Sequence, residues 1–215
     1  MQTFSRNDTK LWYARIAAAV AWVALLLQLW LSIELAHTNG RSAWNGVWTY
    51  FSFFTILTNL LAAAALAAAA LRRSSSILVS PGIVTGIAAS IVLVGIAYNL
   101  LLRNTWNPQG LQLLADVLLH HIDPLLFLGW WWLAASTRPL RFAEIIRWAR
   151  YPIAYFVYAM ARGAIDGFYP YPFVDVPTLG IARVIVNALA ILIAFVVIAA
   201  LLIAVARLRA RQARA

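Results

Sequence analysis

Long apolar stretches, separated by short connections rich in Gly, Pro, Asn and Ser, make up most of the chain. A helix that crosses a membrane needs roughly 20 mostly apolar residues, or about 30 Å at 1.5 Å per residue. Six stretches qualify, and the fifth is the shortest and least apolar. The pattern predicts six membrane-spanning helices, which cover Leu11–Leu35, Trp48–Leu71, Ile83–Leu102, Leu111–Ala135, Ile145–Arg162 and Leu179–Ala206.

Composition excludes a water-soluble protein. Of the 215 residues, 64% are hydrophobic and only 11% are charged, and the mean hydropathy is +0.81. Soluble domains carry about 45–50% apolar and about 25% charged residues. We therefore predict an all-α, polytopic integral membrane protein with a single six-helix transmembrane domain over residues 1–215. The chain contains no cysteine, which excludes disulfides and thiolate chemistry and disfavours a zinc site.

The positive charges are distributed unevenly among the predicted connections. The chain has 17 Lys and Arg against 7 Asp and Glu, a formal net charge of +10. Thirteen of the 17 lie in regions that six spans place on one side, and basic residues remain on the cytoplasmic side. Both termini are therefore predicted to be cytoplasmic, and the basic tail is interpreted as a contact for anionic membrane lipids rather than for nucleic acid. The thirteen are Arg6, Lys10, Arg15, Arg72, Arg73, Arg138, Arg141, Arg147, Arg150, Arg207, Arg209, Arg211 and Arg214.

The fourth apolar stretch contains four ionisable residues. Asp116, His120 and Asp123 follow an i, i+4, i+7 spacing, which places them on one helical face, and His121 points about 100° away. Ionisable side chains within a membrane are costly, and by default they mark function. Counted from the start of this stretch, His120 lies about 14 Å along the helix.

The second stretch carries a polar stripe at a matching depth. Ser52, Thr55 and Asn59 are spaced i, i+3, i+7, and Thr55 is expected about 10 Å from the end at which the helix begins. Both helices start on the same predicted side, so the stripe and His120 are predicted to share one site. Further polar candidates lie on the third, fifth and sixth stretches: Tyr98, Arg162, Arg183 and Asn187.

These residues are compatible with several kinds of chemistry. A histidine beside a hydroxyl acts as general base for a Ser or Thr nucleophile, and a carboxylate orients that histidine. The same side chains also serve as interhelical hydrogen-bonding groups, as a proton relay in a transporter, or as metal ligands. The metal reading is the weakest because no second cluster of His and carboxylate exists, so we expect no metal or cofactor.

Three sequence blocks resemble the prokaryotic six-transmembrane (Pr-Six-Pr) family. They are Phe54-Thr-Ile-Leu-Thr-Asn59, Leu119-His-His-Ile-Asp-Pro124, and Arg162-Gly with the segment Phe168-Tyr-Pro-Tyr-Pro-Phe-Val-Asp175. That family is distantly similar to the androgen-induced and androgen-dependent membrane proteins. Those are six-helix intramembrane threonine hydrolases that cleave fatty acid esters of hydroxy fatty acids with a Thr and a His.

The resemblance implies an intramembrane hydrolase of a lipid ester in a bacterial inner membrane, with membrane lipids and a lipid-like substrate as partners. Thr55 matches the family nucleophile in its Phe-x-Thr context, and Ser52 matches it if Trp48 anchors the alignment. His120 is preferred to His121 as the base, and either Asp116 or Asp123 would orient it. Candidates for binding the substrate are Tyr98, Asn59, Arg162, Arg183 and Asn187. The alternative is a non-enzymatic transporter or lipid-binding protein that uses the same cavity, and the oligomeric state is left open.

Overall fold

A computed structural model of the chain describes residues 6–134 and 140–212. The described residues form helices and short connections without any strand, which confirms the all-α prediction. The α-helices in the described residues are α1 (Arg6–Thr38), α2 (Ala43–Tyr50), α3 (Phe54–Ala70), α4 (Pro81–Ala97), α5 (Gly110–Val117), α6 (Asp123–Ala134), α7 (Glu144–Asp166), α8 (Val176–Leu179) and α9 (Ile181–Gln212). Short 3₁₀ turns cover Ile77–Val79 and Pro172–Val174.

Several of these helices have the length and apolarity of membrane spans. Within the described residues, the segments that qualify are Asn7–Thr38, Pro81–Leu102, Gly110–Ala134 and Ile181–Gln212, and α2 with α3 qualifies as a bent fifth. The chain is thus consistent with an integral membrane protein of four to five candidate spans. The helix α7 is not among them. It carries Arg147, Arg150 and Arg162, and it corresponds to the predicted stretch that was the least apolar.

The prediction of one continuous helix over Trp48–Leu71 is wrong, because two helices cover this stretch. It is broken after Tyr50, and the axes of α2 and α3 differ by 78°. Three main-chain carbonyls at the break accept hydrogen bonds from α7 instead of from their own helix. Arg162 donates to Trp48 O, Tyr158 to Phe51 O at 3.2 Å, and Tyr155 to Ser52 O at 2.9 Å. The break is therefore stabilised by tertiary contacts that satisfy the orphaned backbone groups.

Small side chains allow the helices to approach closely. The Ala-rich helix α3 packs along α1, and the buried Ala62 and Ala65 are part of the core. Close packing of small residues is a usual basis of helix association in membranes, where lipid offers no hydrophobic driving force. Gly46 serves the same purpose in α2, because a Cβ there would lie 2.6 Å from the Ile33 Cα. The helix α4 lies at the centre, where it packs against α3, α6 and α9.

Two π-helical segments, Tyr98–Leu102 after α4 and Leu118–Ile122 before α6, interrupt the longer helices. Pro124 gives a physical reason for the second, since it has no N–H to offer to the His120 carbonyl and its ring would crowd that carbonyl. The Asp123 N–H bonds to Leu118 O instead, which widens the turn by one residue. The sequence analysis placed Asp116, His120 and Asp123 on one face of a regular α-helix. The widened turn removes Asp123 from that regular spacing. Single π-helical turns are frequent at functional sites.

Hydrogen bonds connect the basic ends of α1 and α9 to α6 and to the segment before α7. Tyr13 near the start of α1 donates to Leu126 O of α6, and Arg207 of α9 donates to Leu140 O ahead of α7. Arg209 donates to Trp132 O at the end of α6. Ala135, Arg138 and Arg214, which the sequence predictions include, lie outside the described residues.

Candidate functional site

Thr55 and His120 are brought together, as their predicted depths implied. Thr55 lies in the first turn of α3, directly after the break, and His120 lies in the π-helical segment before α6. The Thr55 Oγ1 is 3.4 Å from the His120 Nε2. This distance exceeds that of a strong hydrogen bond, but catalytic contacts are often long before a substrate binds. The pair has the arrangement of a nucleophile and a general base.

The other ring nitrogen of His120 determines which proton the imidazole carries. Nδ1 lies 3.0 Å from the main-chain carbonyl of Asp116 and 3.1 Å from its carboxylate Oδ1. The hydrogen bond goes to the carbonyl, and the carboxylate lies at ion-pair distance without aligning as an acceptor. Both groups are acceptors, so Nδ1 carries the proton and the Nε2 lone pair faces Thr55.

Tyr98, in the π-helical segment after α4, contacts both His120 and Asp116. Its ring stacks on the His120 ring, with centroids 4.0 Å apart and planes inclined by 17°. Its hydroxyl donates to the second carboxylate oxygen of Asp116. Tyr98 was predicted to bind substrate; in the structure it contacts the carboxylate and the imidazole, and it also lines both cavities described below.

Tyr171 is a site residue that the sequence reasoning missed. Its hydroxyl is 3.4 Å from Thr55 Oγ1 and accepts the Thr55 N–H at 3.3 Å. The signal was present, because Tyr171 belongs to the Tyr-Pro-Tyr-Pro-Phe segment, one of the three blocks that carry the family resemblance. Tyr171 lies outside the helices, and burial raises the pKa of its phenol, so the hydroxyl remains a proton donor.

Ser52, the alternative nucleophile, is occupied by a different partner. Its Oγ is fully buried, accepts a hydrogen bond from Arg162 and donates to Trp48 O at 3.2 Å. Arg162 in turn bonds to Asp166 at 3.1 Å and lies over the Trp48 ring. Ser52 and Arg162 thus stabilise the break between α2 and α3. Thr55 is the hydroxyl residue that contacts His120.

The remaining substrate-binding candidates are engaged elsewhere. Asn59 donates to Thr55 O at 2.8 Å and to Leu119 O at 3.2 Å, so it ties α3 to the π-helical segment. Asn187 donates to Phe173 O at 2.9 Å and anchors the Tyr-Pro segment to α9. Arg183 is exposed on α9 and is not among the described residues that line the two cavities at the site.

The side chains of Asp123 and His121 form no hydrogen bond with Thr55 or Asp116 in the described part of the chain, although the His121 ring lies edge-on against the Tyr98 ring. Both carboxylate oxygens of Asp123 are buried without a hydrogen-bond partner in the described part of the chain. His121 Nε2 lies 3.3 Å from Asn99 Oδ1, on the other side of the helix from Thr55. Asp116 is therefore the carboxylate associated with the His120 ring, and His120 is the histidine associated with Thr55.

Two cavities, each of about 260 Å³, meet at Thr55. The first lies between α4, α7 and α9, and the second between α1, α5 and the break before α3. Thr55, Tyr98 and Tyr171 line both. The second cavity also contains Gln28 and Gln112, which the sequence reasoning missed although an amide in an apolar stretch is itself a signal.

The described residues contain no group of three His, Asp or Glu side chains placed to hold a metal ion. Comparisons of the chain with protein-family models, with curated proteins and with solved structures find no match. The arrangement of Thr55, His120 and Asp116 is therefore the basis for any functional assignment.

Proposed function

We propose that this chain is an intramembrane hydrolase of lipid esters in which Thr55 is the nucleophile. The observation that carries the proposal is the ordered line from Thr55 Oγ1 through the two ring nitrogens of His120 to Asp116. A hydroxyl, a base and a group that orients the base recur in this order in hydrolases of unrelated fold. The resemblance of the sequence to the Pr-Six-Pr family, which is distantly similar to intramembrane threonine hydrolases, supports the same assignment.

The reaction proceeds through an acyl-enzyme. His120 Nε2 takes the proton of the Thr55 hydroxyl as the oxygen attacks the ester carbonyl carbon. The bond from that carbon to the alcohol oxygen then breaks, and His120 returns the proton to the departing alkoxide. His120 then takes a proton from water as the water oxygen attacks the acyl carbon, and the bond from that carbon to the Thr55 oxygen breaks. The acid leaves, and His120 returns the proton to the Thr55 oxygen. Asp116 stabilises the imidazolium that forms in each half of the reaction.

Two groups beside Thr55 are suited to stabilise the oxyanion. The Tyr171 hydroxyl lies 3.4 Å from Thr55 Oγ1. The second is the N-terminus of α3, because Thr55 lies in its first turn. The main-chain N–H groups there have no partner within the helix, and the helix dipole favours negative charge at this end. Donors of this type, arranged before the substrate binds, are among the largest contributors to catalysis of acyl transfer.

A fluorophosphonate probe tests the nucleophile directly. We expect covalent labelling of the purified protein at Thr55, identified by mass spectrometry of the modified peptide. Thr55→Ala should abolish labelling and Thr55→Ser should retain it. Thr58→Ala is the matched control, because Thr58 is a buried threonine one turn further along α3 whose hydroxyl bonds to Tyr151 rather than to a histidine.

Labelling that survives Thr55→Ala would rule out this nucleophile. Absence of labelling, together with no turnover of a broad panel of lipid esters, would reject the hydrolase. Substrate uptake into proteoliposomes that persists in Thr55→Ala would then favour the alternative, a transporter or lipid-binding protein.

The proposal includes six spans with both termini in the cytoplasm of a bacterial inner-membrane protein. The helix α7 has 23 residues, about 35 Å at 1.5 Å per residue, so it is long enough to be the sixth span. Its Arg162 is buried against protein rather than exposed to lipid, and Arg147 and Arg150 lie near its first turns. Charged residues in spans are tolerated in such positions.

Reporter fusions test this orientation. A reporter that is active only in the cytoplasm should be active when fused after residue 215 and inactive when inserted at Asn107, between α4 and α5. A reporter active only in the periplasm should give the opposite result at both sites. Periplasmic activity of the C-terminal fusion would overturn the orientation.

A further inference from the structure

The two cavities that meet at Thr55 differ in chemistry, and an ester substrate has two unlike halves. Thr55 and Tyr171 form part of the wall of both cavities, so an ester carbonyl at Thr55 would have one half in each. Which half enters which cavity then depends on the other side chains of the walls.

The cavity between α4, α7 and α9 is apolar and reaches the lateral surface of the bundle. Apart from the residues at Thr55, its described walls are aliphatic and aromatic, among them Val94, Phe156 and Leu192. Ile153, Ile185 and Leu189 line it and are also about half exposed, so the cavity opens between α7 and α9 where lipid would lie. An acyl chain can therefore enter from the membrane without leaving an apolar environment.

The cavity between α1 and α5 is built for hydrogen bonding. Gln112 Nε2 donates to Gln28 Oε1 at 2.9 Å, and Gln28 Nε2 lies 3.4 Å from Ser32 Oγ. Each amide keeps further donors or acceptors that a ligand can use. The exposed Thr105 and Trp106 lie at its mouth, in the connection between α4 and α5, so this cavity opens at the end of the bundle.

The charges of this second cavity disfavour an anion. Its described walls contain neither Lys nor Arg, and the carboxylate of Asp116 forms part of them. A carboxylate or phosphate on the substrate would lose its hydration there and face a like charge. Neutral amides and hydroxyls instead match a ligand that bears hydroxyl groups.

We infer that the substrate is a neutral ester whose alcohol portion carries free hydroxyl groups, of the glycerol monoester type. The acyl chain occupies the cavity between α4, α7 and α9, and the hydroxylated alcohol occupies the cavity of Gln28 and Gln112. The inference rests on the proposed hydrolase function. It differs from the substrates that the family resemblance implies, because those carry a carboxylate on the alcohol portion.

Four octanoyl esters that share one acyl chain test the inference: those of glycerol, hexanol, a hydroxy fatty acid and choline. The purified full chain should hydrolyse the glycerol ester with the highest kcat/KM. Gln112→Leu should lower kcat/KM for the glycerol ester about tenfold, the loss expected from one or two hydrogen bonds, and leave the hexyl ester within about twofold. Gln109→Leu, an exposed glutamine outside the described cavity walls, is the matched control.

The acyl side is tested on the same esters with varied chain length. Ala188→Phe fills the apolar cavity and should shift the preferred acyl chain to a shorter one, whereas Ala190→Phe, exposed on the same helix, should not. Preference for the ester that carries a carboxylate, or for the choline ester, would overturn the inference. Equal slowing of the glycerol and hexyl esters by Gln112→Leu would also overturn it. In those cases Thr55-dependent hydrolysis remains, so the proposed function stands. If none of the four esters is hydrolysed, the inference fails, and the labelling test with the broad panel of lipid esters decides the proposed function.

Discussion

Replacement of His120 by glutamine will lower kcat/KM for ester hydrolysis by about 10²–10⁴-fold, the usual contribution of a general base. Glutamine keeps a polar group of similar size at this position but cannot accept and return the Thr55 proton. The loss should appear in kcat more than in KM, because the proton transfer stabilises the transition state rather than the bound ester. Single-turnover kinetics with an octanoyl ester measure both acylation and deacylation.

His121→Gln is the matched control for this prediction. His121 is the next residue in the same π-helical turn, but its Nε2 lies near Asn99 Oδ1 and not near Thr55. Its replacement should leave kcat/KM within about threefold of the unmodified protein, since His121 reaches the site only through an edge-on contact of its ring with Tyr98. Equal losses in the two variants would show that the turn, and not the base, determines the rate.

The pairing of Thr55 with His120 could be anticipated from the sequence for a physical reason. In an apolar chain each polar side chain carries a desolvation cost, so hydroxyl, imidazole and carboxylate groups at similar depths tend to satisfy one another. That reasoning depends only on composition and on the rise of a helix. It singled out Ser52, Thr55 and Asn59 on one helix and Asp116, His120 and Asp123 on another. The structure brings Thr55, His120 and Asp116 of these together.

The local shape of the site could not be anticipated in the same way. The break before Thr55 depends on hydrogen bonds from Tyr155, Tyr158 and Arg162, more than 100 residues away in the chain. The position of Tyr171 depends on how the Tyr-Pro segment folds back over α3. The break has no local sequence signal, because the orphaned carbonyls of Phe51 and Ser52 are satisfied by tertiary contacts. The Tyr-Pro segment is visible in the sequence, but its contact with Thr55 is not.

The π-helical turn that contains His120 is a partial exception. Pro124 is visible in the sequence, and its missing N–H predicts a local irregularity in the preceding turn. What the sequence does not show is that the chain resolves this irregularity by widening the turn, so that Asp123 loses the register it would have in a regular helix. Asp116, which precedes the widened turn, keeps its i, i+4 relation to His120.

Replacement of Arg162 by methionine will lower the free energy of unfolding by about 2–5 kcal/mol, because it removes two buried hydrogen bonds from a charged donor. Arg162 is 3% exposed and donates to Trp48 O and Ser52 Oγ, and Trp48 O then keeps only the Ser52 hydroxyl as a side-chain donor in the described residues. A hydrogen bond that involves a charged group contributes about 1.5–3 kcal/mol. The ion pair with Asp166 adds little to this figure, since Asp166 is partly exposed. Unfolding in mixed micelles with increasing denaturing detergent measures the change.

The same substitution should also reduce catalysis, although Arg162 is not among the described residues that line either cavity. Without the guanidinium, residues 51–53 between α2 and α3 are free to adopt helical geometry, so that α2 and α3 join as one helix. This change would move Thr55 away from His120. We expect kcat of Arg162→Met to fall with little change in KM. Arg162→Lys should recover only part of the stability, because an ammonium group lacks the planar fork that reaches both acceptors. Arg183→Met, on the exposed face of α9, should alter neither kcat nor the free energy of unfolding. An increase in KM at unchanged stability would instead identify Arg162 as a substrate-binding residue, in agreement with the sequence prediction and against its structural role.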